Sequence, residues 1–305
     1  MGKIMINRPV DDRVGVIGGS DIAALPGIEL SRWSTPYDLY KRYTGKEHQE
    51  IDHDKEMMFL YGHLMEDVAQ KMAEREYGVV MRRCNVAWAD EEMPYLICHP
   101  DRRLVGDNSI YAEIKAPRYL DTSLWGEEDS DKTPDDYMLQ GQSYFLCCPK
   151  CEEVWFLVVA GGKLHRYIVK PEERLMEAIR VAAKDFHDRV ADGWIPDPST
   201  PAEANERWRA PVDQVVEADS HILAVVHDWR EAKAEAKALK VRQDGLETQI
   251  KNYLGDCIYL SDGGTKPIVT WKPQSSTRFD SVAFRADHPE IYAEYAKTTQ
   301  SRVLR

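Results

Sequence analysis

The stretch that most restricts how this chain can fold runs from His99 to Lys115, HPDRRLVGDNSIYAEIK. An acidic residue opens one extended segment, a turn rich in Gly, Asp and Asn reverses the chain, and the next segment alternates. Ile110, Ala112 and Ile114 fall on one side and Tyr111, Glu113 and Lys115 on the other, because successive side chains of a strand project to opposite faces. The turn GDNS suits a hairpin, since Gly, Asn and Asp tolerate positive φ. The spacing therefore predicts that Asp101 is carried back toward Glu113, with Lys115 pointing the same way. Two carboxylates so placed repel each other and lose hydration when half buried. A divalent cation with oxygen ligands offsets both costs best, and magnesium is the natural candidate.

Two helical stripes flank this hairpin in the chain. Gly62, Glu66, Ala69 and Ala73 share one helical face, and three of them are small enough to admit a close neighbour where Glu66 projects. Leu60, Leu64, Val68 and Met72 form another face, expected to be core. Downstream, Tyr137, Gln140 and Tyr144 share a stripe, with Gln142 off it; Gln140 is expected to face the same site as Glu113.

The remaining punctuation predicts an α+β arrangement. Thr35 as N-cap with Pro36 opens a short helix that stops at Gly45, and a long helix covers about Lys55 to Tyr77. Strands follow at about Val79 to Ala89 and Tyr95 to Val105, then the Glu113 strand, a helix opened by Pro134, and a hairpin of VWFLVVA and KLHRYIV around Gly161-Gly162. A helix from Pro171 ends near Asp192. Residues 195–213 contain four prolines and little periodicity and are expected to be a linker between a first domain, 1–194, and a C-terminal region, 214–305. In that region Ile222, Val225, Trp229, Ala232, Ala236, Leu239, Gln243, Leu246, Ile250 and Tyr253 lie alternately three and four apart, the seam of a coiled coil or helical hairpin. A small hairpin at Gly263-Gly264 and a helix over about Ser281 to Lys297 follow. The seam is expected to pack on Ile291 and Tyr295 of the same chain, the alternative being a contact with a partner protein, another subunit or DNA.

At these residues the chain resembles the PD-(D/E)xK nuclease superfamily, and within it the YqaJ viral recombinase family that includes phage exonucleases. The resemblance rests on Gly62-x-x-x-Glu66, Pro100-Asp101, Glu113-Ile114-Lys115 followed by Pro117, Gln140-Gly-Gln142 with its aromatics, and IGGSDIAALPGI from Ile17 to Ile28. Five elements in order over roughly two hundred residues make it far more specific than any E-x-K alone. It implies an α/β sandwich with a central mixed sheet flanked by helices, followed here by a mainly helical appendage. It also implies a Mg2+-dependent (or Mn2+-dependent) deoxyribonuclease working 5′ to 3′ on linear double-stranded DNA in single-strand annealing recombination. Asp101, Glu113 and the Ile114 carbonyl would hold metal, with Glu66 binding a second ion or its water. Lys115 would orient or deprotonate the attacking water and stabilise charge, Gln140 would position that water, and Gln142 and Tyr144 would support the site. Two ions would stabilise both the entering and the leaving oxygen.

In enzymes of this kind an arginine and a serine seven residues later grip the terminal 5′-phosphate, and Arg13 and Ser20 have that spacing; Ser20 with Asp21 also reads as a helix N-cap, a site that favours anions. Where the family has a second phosphate-binding serine, two residues before the first metal aspartate, this chain has His99, which can serve when protonated. The resemblance implies a homo-oligomer, a ring-shaped trimer in the best-known case, with an annealing protein as partner. An endonuclease of the same superfamily, or a DNA-binding module without catalysis, are the alternatives.

Composition bears on these expectations. The formal net charge is −12, which conflicts with phosphate neutralisation by Lys and Arg unless basic residues such as Arg82, Arg83, Arg102, Arg103 and Arg118 line an interior. MGKIMINRPV lacks an apolar signal core and no run of eighteen apolar residues occurs, so a cytoplasmic protein without membrane spans is expected. Six cysteines include Cys147, Cys148 and Cys151; Cys148-Pro-Lys-Cys151 has zinc or iron–sulfur spacing, but no second pair at that spacing exists, so a structural role is expected. His63, His165, His187 and His221 are isolated and expected to be structural or exposed.

Overall fold

The computed structural model describes residues 3–6, 13–46, 52–297 and 302–304. The chain divides into two compact units, residues 1–208 and 209–305.

The first unit contains two sheets. One is four-stranded, in the order β1-β4-β5-β2, built from β1 (Lys3–Ile6), β2 (Ile17–Gly18), β4 (Ala87–Asp90) and β5 (Leu96–Cys98). The other is five-stranded and mixed, β3-β6-β7-β8-β9, from β3 (Met81–Arg83), β6 (Arg102–Leu104), β7 (Ile110–Lys115), β8 (Glu153–Ala160) and β9 (Lys163–Val169). β6 and β7 form the hairpin expected around GDNS, with Arg102 opposite Ala112, and β7 runs parallel to β8 with Glu113 level with Phe156.

The strands expected over 79–89 and 95–105 are each broken in two, the halves going to different sheets. His99-Pro100-Asp101 is one break: proline has no N–H for a ladder, and the chain leaves β5 in one sheet to enter β6 in the other. Asp101 therefore sits in the corner between sheets.

Helices cover the five-stranded sheet. α1 (Pro36–Tyr43) opens as predicted, with the Asp38 N–H donating to Thr35 Oγ1 at 3.1 Å. α2 (His53–Tyr77) lays Ala69 and Ala73, both at 0% exposure, against Ala112, Ile114 and Leu157. These small residues let the helix approach the sheet closely, as their spacing predicts. The opposite stripe is not core: Leu60, Leu64 and Val68 are exposed, and only Met72 of that set packs inward. Helical periodicity marks two apolar faces here, and the sheet covers only the one whose side chains are small.

α3 (Asp135–Cys147) and α4 (Glu173–Ala191) lie on the other side, packed through Leu139, Tyr144, Ile179, Ala183 and Phe186 around Tyr111, Val154 and Phe156. Gly161 and Gly162 both have positive φ, +57° and +79°, which the two-residue β8–β9 turn requires. Within the segment expected to be a linker, α5 (Pro201–Arg207) is capped by Thr200 and buries Glu203, which accepts a hydrogen bond from Thr35 Oγ1 at 2.5 Å.

The second unit consists of α6 (Ser220–Leu254), the hairpin β10 (Tyr259–Leu260) and β11 (Val269–Thr270), and the short helices α7 (Ser281–Asp287) and α8 (Pro289–Tyr295). The single helix expected over 281–297 is interrupted at His288-Pro289. α6 is one continuous helix rather than a helical hairpin, and among its described residues only Leu254 is buried. The expected packing of its seam on Ile291 and Tyr295 is absent: both are exposed, as are Ile222, Val225, Leu239 and Leu246. No described helix is long and apolar enough to cross a membrane.

Candidate active site

β7 delivers Glu113 and Lys115 to the face turned toward α3, while Ala112 and Ile114 point into the α2 layer. Glu113 is 6% exposed and has both oxygens engaged. Oε1 accepts from Lys115 Nζ at 2.8 Å and from Gln140 Nε2 at 2.7 Å, and Oε2 accepts from the Tyr144 hydroxyl. Lys115 Nζ also donates to Gln140 Oε1 at 3.0 Å and sits 4.6 Å from the Tyr137 ring centre. The helical stripe Tyr137, Gln140 and Tyr144 thus closes around one carboxylate and one ammonium, as its spacing predicts.

Asp101 enters from the corner between sheets, its Oδ2 accepting from the Ile114 N–H at 2.7 Å. Burial and the adjacent Glu113 carboxylate push its pKa well above the ordinary range, outweighing the Ile114 amide and Lys115. Burial by itself lowers the Lys115 pKa, but Glu113, Tyr137 and Asp101 more than reverse this, so the ammonium is held charged. Burial and Glu113 raise the Tyr144 pKa well above that of a free phenol, keeping it a donor.

The 3-10 turn Gly19–Ala24 forms the opposite wall. β2 pairs in parallel with β5, Gly18 opposite Ile97, which sets this turn beside the β5–β6 corner. Gly19 is required by close approach: a Cβ there would lie 2.9 Å from Ser143 Oγ on α3. The N-cap is Gly18, whose N–H donates to Asp21 Oδ2 at 3.1 Å; Ser20, expected to cap, is instead an exposed residue inside the turn. Asp21 is 6% exposed and lies between two guanidiniums, Arg13 Nη1 at 3.1 Å and Arg42 Nη2 at 2.9 Å, with Arg42 also donating to Ser34 Oγ at 2.8 Å. Two cations against one carboxylate leave this wall positive.

Between the walls lies a cavity of about 430 Å³. Asp101, Glu113, Lys115, Gln140 and Tyr144 line one side, and Arg13, Gly18, Gly19, Ser20 and His99 the other. Phe59 and His63 of α2 complete it. His63 is exposed, as expected, and it also borders this space; its place three residues before Glu66, on a helix already carrying a site candidate, is the signal that could have found that second feature. Arg42 and Asp21 had no such signal.

Glu66 stands apart. Its Oε2 accepts from Arg102 Nη1 and Arg83 Nη2, each at 3.0 Å, and it is not among the cavity-lining residues. Arg102, with 1% of its side chain exposed, also donates to Gln70 at 2.6 Å, Asp67 at 2.7 Å and the Asp101 carbonyl at 2.9 Å. Buried between α2 and β6, Arg102 forms no part of an open basic lining. Among the described residues, Glu66, Asp101 and Glu113 do not bring ligand oxygens within 4.8 Å of one another. Gln142 lies outside the site as well: Nε2 donates to the Lys170 carbonyl at 2.8 Å and Oε1 accepts from the Glu172 N–H at 2.9 Å, tying α3 to the start of α4.

Cys98 packs against α3 and Cys147 closes its last turn, whereas Cys257 is exposed in the second unit. Cys98 Sγ donates to the Ser143 carbonyl at 3.2 Å and Cys147 Sγ to the Leu96 carbonyl at 3.4 Å. Burial pushes the thiols of Cys147 and Cys148 well up and that of Cys84 to about 12, so thiolates are disfavoured there.

The order helix, three antiparallel strands, helix, parallel strand, with Asp101 and Glu113-Ile114-Lys115 at adjacent strand ends, is that of the PD-(D/E)xK fold. Residues 10–150 match the family model of the YqaJ-like viral recombinase domain, so the resemblance is shown for this part of the chain. The chain is 27% identical over 296 residues to the uncharacterized protein YqaJ of Bacillus subtilis (strain 168), covering 94% of this chain and 89% of that one. Among solved structures, it is similar to an alkaline exonuclease from Laribacter hongkongensis (16% identity, TM-score 0.45, 59% of this chain and 90% of that one). A phage-related exonuclease from Haemophilus somnus 129PT is also similar (12% identity, TM-score 0.39, 58% and 96%).

Proposed function

We propose that this protein is a metal-dependent deoxyribonuclease that degrades one strand of linear double-stranded DNA from its 5′ end, in recombination of the phage type. One observation carries the reading: a buried Glu113, a half-buried Asp101 and a charged lysine share a cavity whose facing wall is cationic. The YqaJ-like match over residues 10–150 supports the recombination role.

The donor set fits a hard divalent cation. A half-buried Asp101 whose charge is opposed by its surroundings and by Glu113 is what such an ion relieves, and oxygen ligands suit Mg2+ or Mn2+. Asp101, Glu113 and the Ile114 carbonyl would hold it; Glu66, whose Oε2 is held by Arg83 and Arg102 and which does not line the cavity, would join only on moving toward it. When bound, the metal polarises the scissile phosphate and lowers the pKa of bound water.

The chain's own groups do the rest. Lys115, held protonated, serves as a cation beside the developing phosphorane charge and not as the base. Gln140 bridges Glu113 and Lys115 and keeps both at a fixed separation, while Tyr144 locks the second Glu113 oxygen. Arg13 and Ser20, with His99, would receive the terminal phosphate, and the neighbouring Arg42 adds to the field there. An acidic cytoplasmic protein would then concentrate its positive charge where the polyanion enters.

Digestion of end-labelled linear duplex and of closed circular duplex, with Mg2+ and with EDTA, tests this. Mononucleotide release from linear DNA only, faster with a 5′-phosphate, is expected. Cutting of the circle would reassign the protein as an endonuclease, and no Mg2+-dependent product from either substrate would leave a binding module.

A further inference from the structure

Two tyrosines hold the segment that leads from Arg13 into the cationic wall of the cavity. The Gly15 N–H donates to the Tyr43 carbonyl at 2.7 Å, and the Ile17 N–H donates to the Tyr95 carbonyl at 2.7 Å. Tyr43 is the last residue of α1, where carbonyls lack a partner within the helix. Tyr95 immediately precedes β5, the strand that pairs with β2. Gly15 makes its turn with φ +73°, and Val16, between the two attachment points, is buried. The backbone that presents Arg13 on one side and Gly18 to Ser20 on the other is therefore fixed through Tyr43 and Tyr95.

One side chain of α4 engages both tyrosines. His187 is half-buried, and its Nδ1 lies 2.5 Å from the Tyr43 hydroxyl. The Tyr95 ring stacks on the same imidazole, 3.9 Å between centres and 6° between planes. Burial and the nearby Tyr95 raise the Tyr43 pKa, so the phenol stays protonated and donates. His187 Nδ1 is then the acceptor, which assigns the imidazole proton to Nε2. Phe186, the preceding residue of α4, meets the Tyr43 ring edge-on at 5.3 Å. The same end of α1 sends Arg42 to Asp21 inside the wall, at 2.9 Å. Apolar burial of Leu39 keeps α1 on the core, but such burial is non-directional. A hydrogen bond and a parallel ring stack are directional, and they fix where the final carbonyl of α1 and the carbonyl before β5 point.

We propose that His187 is a positioning residue: by holding Tyr43 and Tyr95 together it sets the wall that carries Arg13, Gly18 and Ser20, and with it the grip of that wall on the terminal phosphate of a DNA end. His187 is not among the residues lining the cavity, so it acts through the two tyrosines. The grip rests on the end-binding role given above to Arg13 and Ser20; the hold on the wall does not.

Two measurements on the full chain test this: steady-state kinetics on linear duplex with 5′-phosphate or 5′-hydroxyl ends, and hydrogen–deuterium exchange over residues 13–20. Tyr43→Phe deletes the hydroxyl and keeps the ring. It should raise KM for phosphorylated ends about fivefold, as expected for one neutral hydrogen bond, with kcat and the hydroxyl ends unchanged. His187→Ala, which removes the stack as well, should raise it about tenfold or more. His187→Asn, whose Oδ1 takes the place of Nδ1, should recover part of that loss. Exchange over 13–20 should quicken in Tyr43→Phe and His187→Ala while that of β8 stays as in the wild type. Should His187→Ala fail to fold, Tyr43→Phe decides by itself. Equal loss on both kinds of end, no gain from Asn over Ala, or unchanged exchange in Tyr43→Phe would each overturn the proposal. A wild type indifferent to the 5′-phosphate would defeat the end-binding reading alone; quickened exchange in Tyr43→Phe would then still support His187 as the holder of the wall, and unchanged exchange would overturn it.

Discussion

Replacing Tyr144 by Phe deletes one hydroxyl while keeping the ring that packs in the core. In the wild type that hydroxyl is the donor to Glu113 Oε2, and Glu113 Oε1 is served separately by Lys115 and Gln140. Tyr144 is 1% exposed and Glu113 6%, so the lost donor can be replaced only by an ordered water from the cavity that both line, which offsets the loss in part. Leaving a buried acceptor without a partner costs about 1–3 kcal/mol. For a unit of this size each kcal/mol lowers Tm by about 2–4 °C, so a fall of roughly 2–12 °C is expected. The functional consequence is separable, because Glu113 keeps Oε1 pinned but is free to rotate about it. The rate on end-labelled duplex should fall about tenfold or more, with a rise in the Mg2+ concentration needed for half-maximal rate. Tyr144 thereby acts as a positioning residue, and the metal-dependence readout distinguishes this from loss of fold. Calorimetry at pH 7.5 with a Mg2+ titration of the initial rate measures both. An unchanged Tm together with an unchanged Mg2+ response would refute the reasoning, because Glu113 Oε2 would then have no need of its donor.

Lys115→Ala should lower the rate on the order of 10²-fold or more, while Lys115→Arg retains part of it, since the group is used as a cation; equal losses in single-turnover assays would restore the general-base role. Arg13→Ala should slow cleavage of 5′-phosphorylated ends and leave 5′-hydroxyl ends unaffected; identical loss on both would remove it from the end pocket. Asp90, 3% exposed, is paired with Lys3 at 2.6 Å, and Lys3 reaches the Leu146 carbonyl as well. Burial raises its pKa, but Lys3 and the Glu92 amide more than reverse this, leaving it below the usual carboxylate range. A depressed pKa stabilises the fold above the ordinary Asp pKa of about 3.9 and ceases to do so as pH falls through the folded value. Asp90→Asn should therefore cost about 1–3 kcal/mol at pH 7 and much less near pH 3 in urea titrations; a pH-independent penalty would show that the charge contributes nothing.

Much of the fold was legible because its signals are local. Strand alternation placed Glu113 and Lys115 on one face and Ile114 on the other; Gly161-Gly162 and Thr35-Pro36 announced their turn and cap; the four-residue spacing of Gln140 and Tyr144 brought both to Glu113. Other features were illegible for a common reason. Nothing in 79–105 shows that its strands are shared between two sheets except Pro100, and a proline does not say where the chain goes next. Leu60, Leu64 and Val68 have the spacing of core residues, but spacing cannot tell which of two apolar faces finds a partner. Glu66 was expected to hold a second metal ion or its water, yet its Oε2 is held by Arg83 of β3 and Arg102 of β6, whose approach no local spacing announces.

The amino-acid sequence by itself determined the period of each element, the capping of its ends and the sides of β7 on which carboxylate, ammonium and aliphatic groups stand, since those follow from backbone geometry over a few residues. Tertiary structure alone decided that Asp101 turns a corner between sheets, that Arg13 faces it across a cavity, and that much of the α6 seam stays exposed. Those outcomes depend on which distant surfaces exclude water from one another, a competition among long-range contacts that no local spacing encodes.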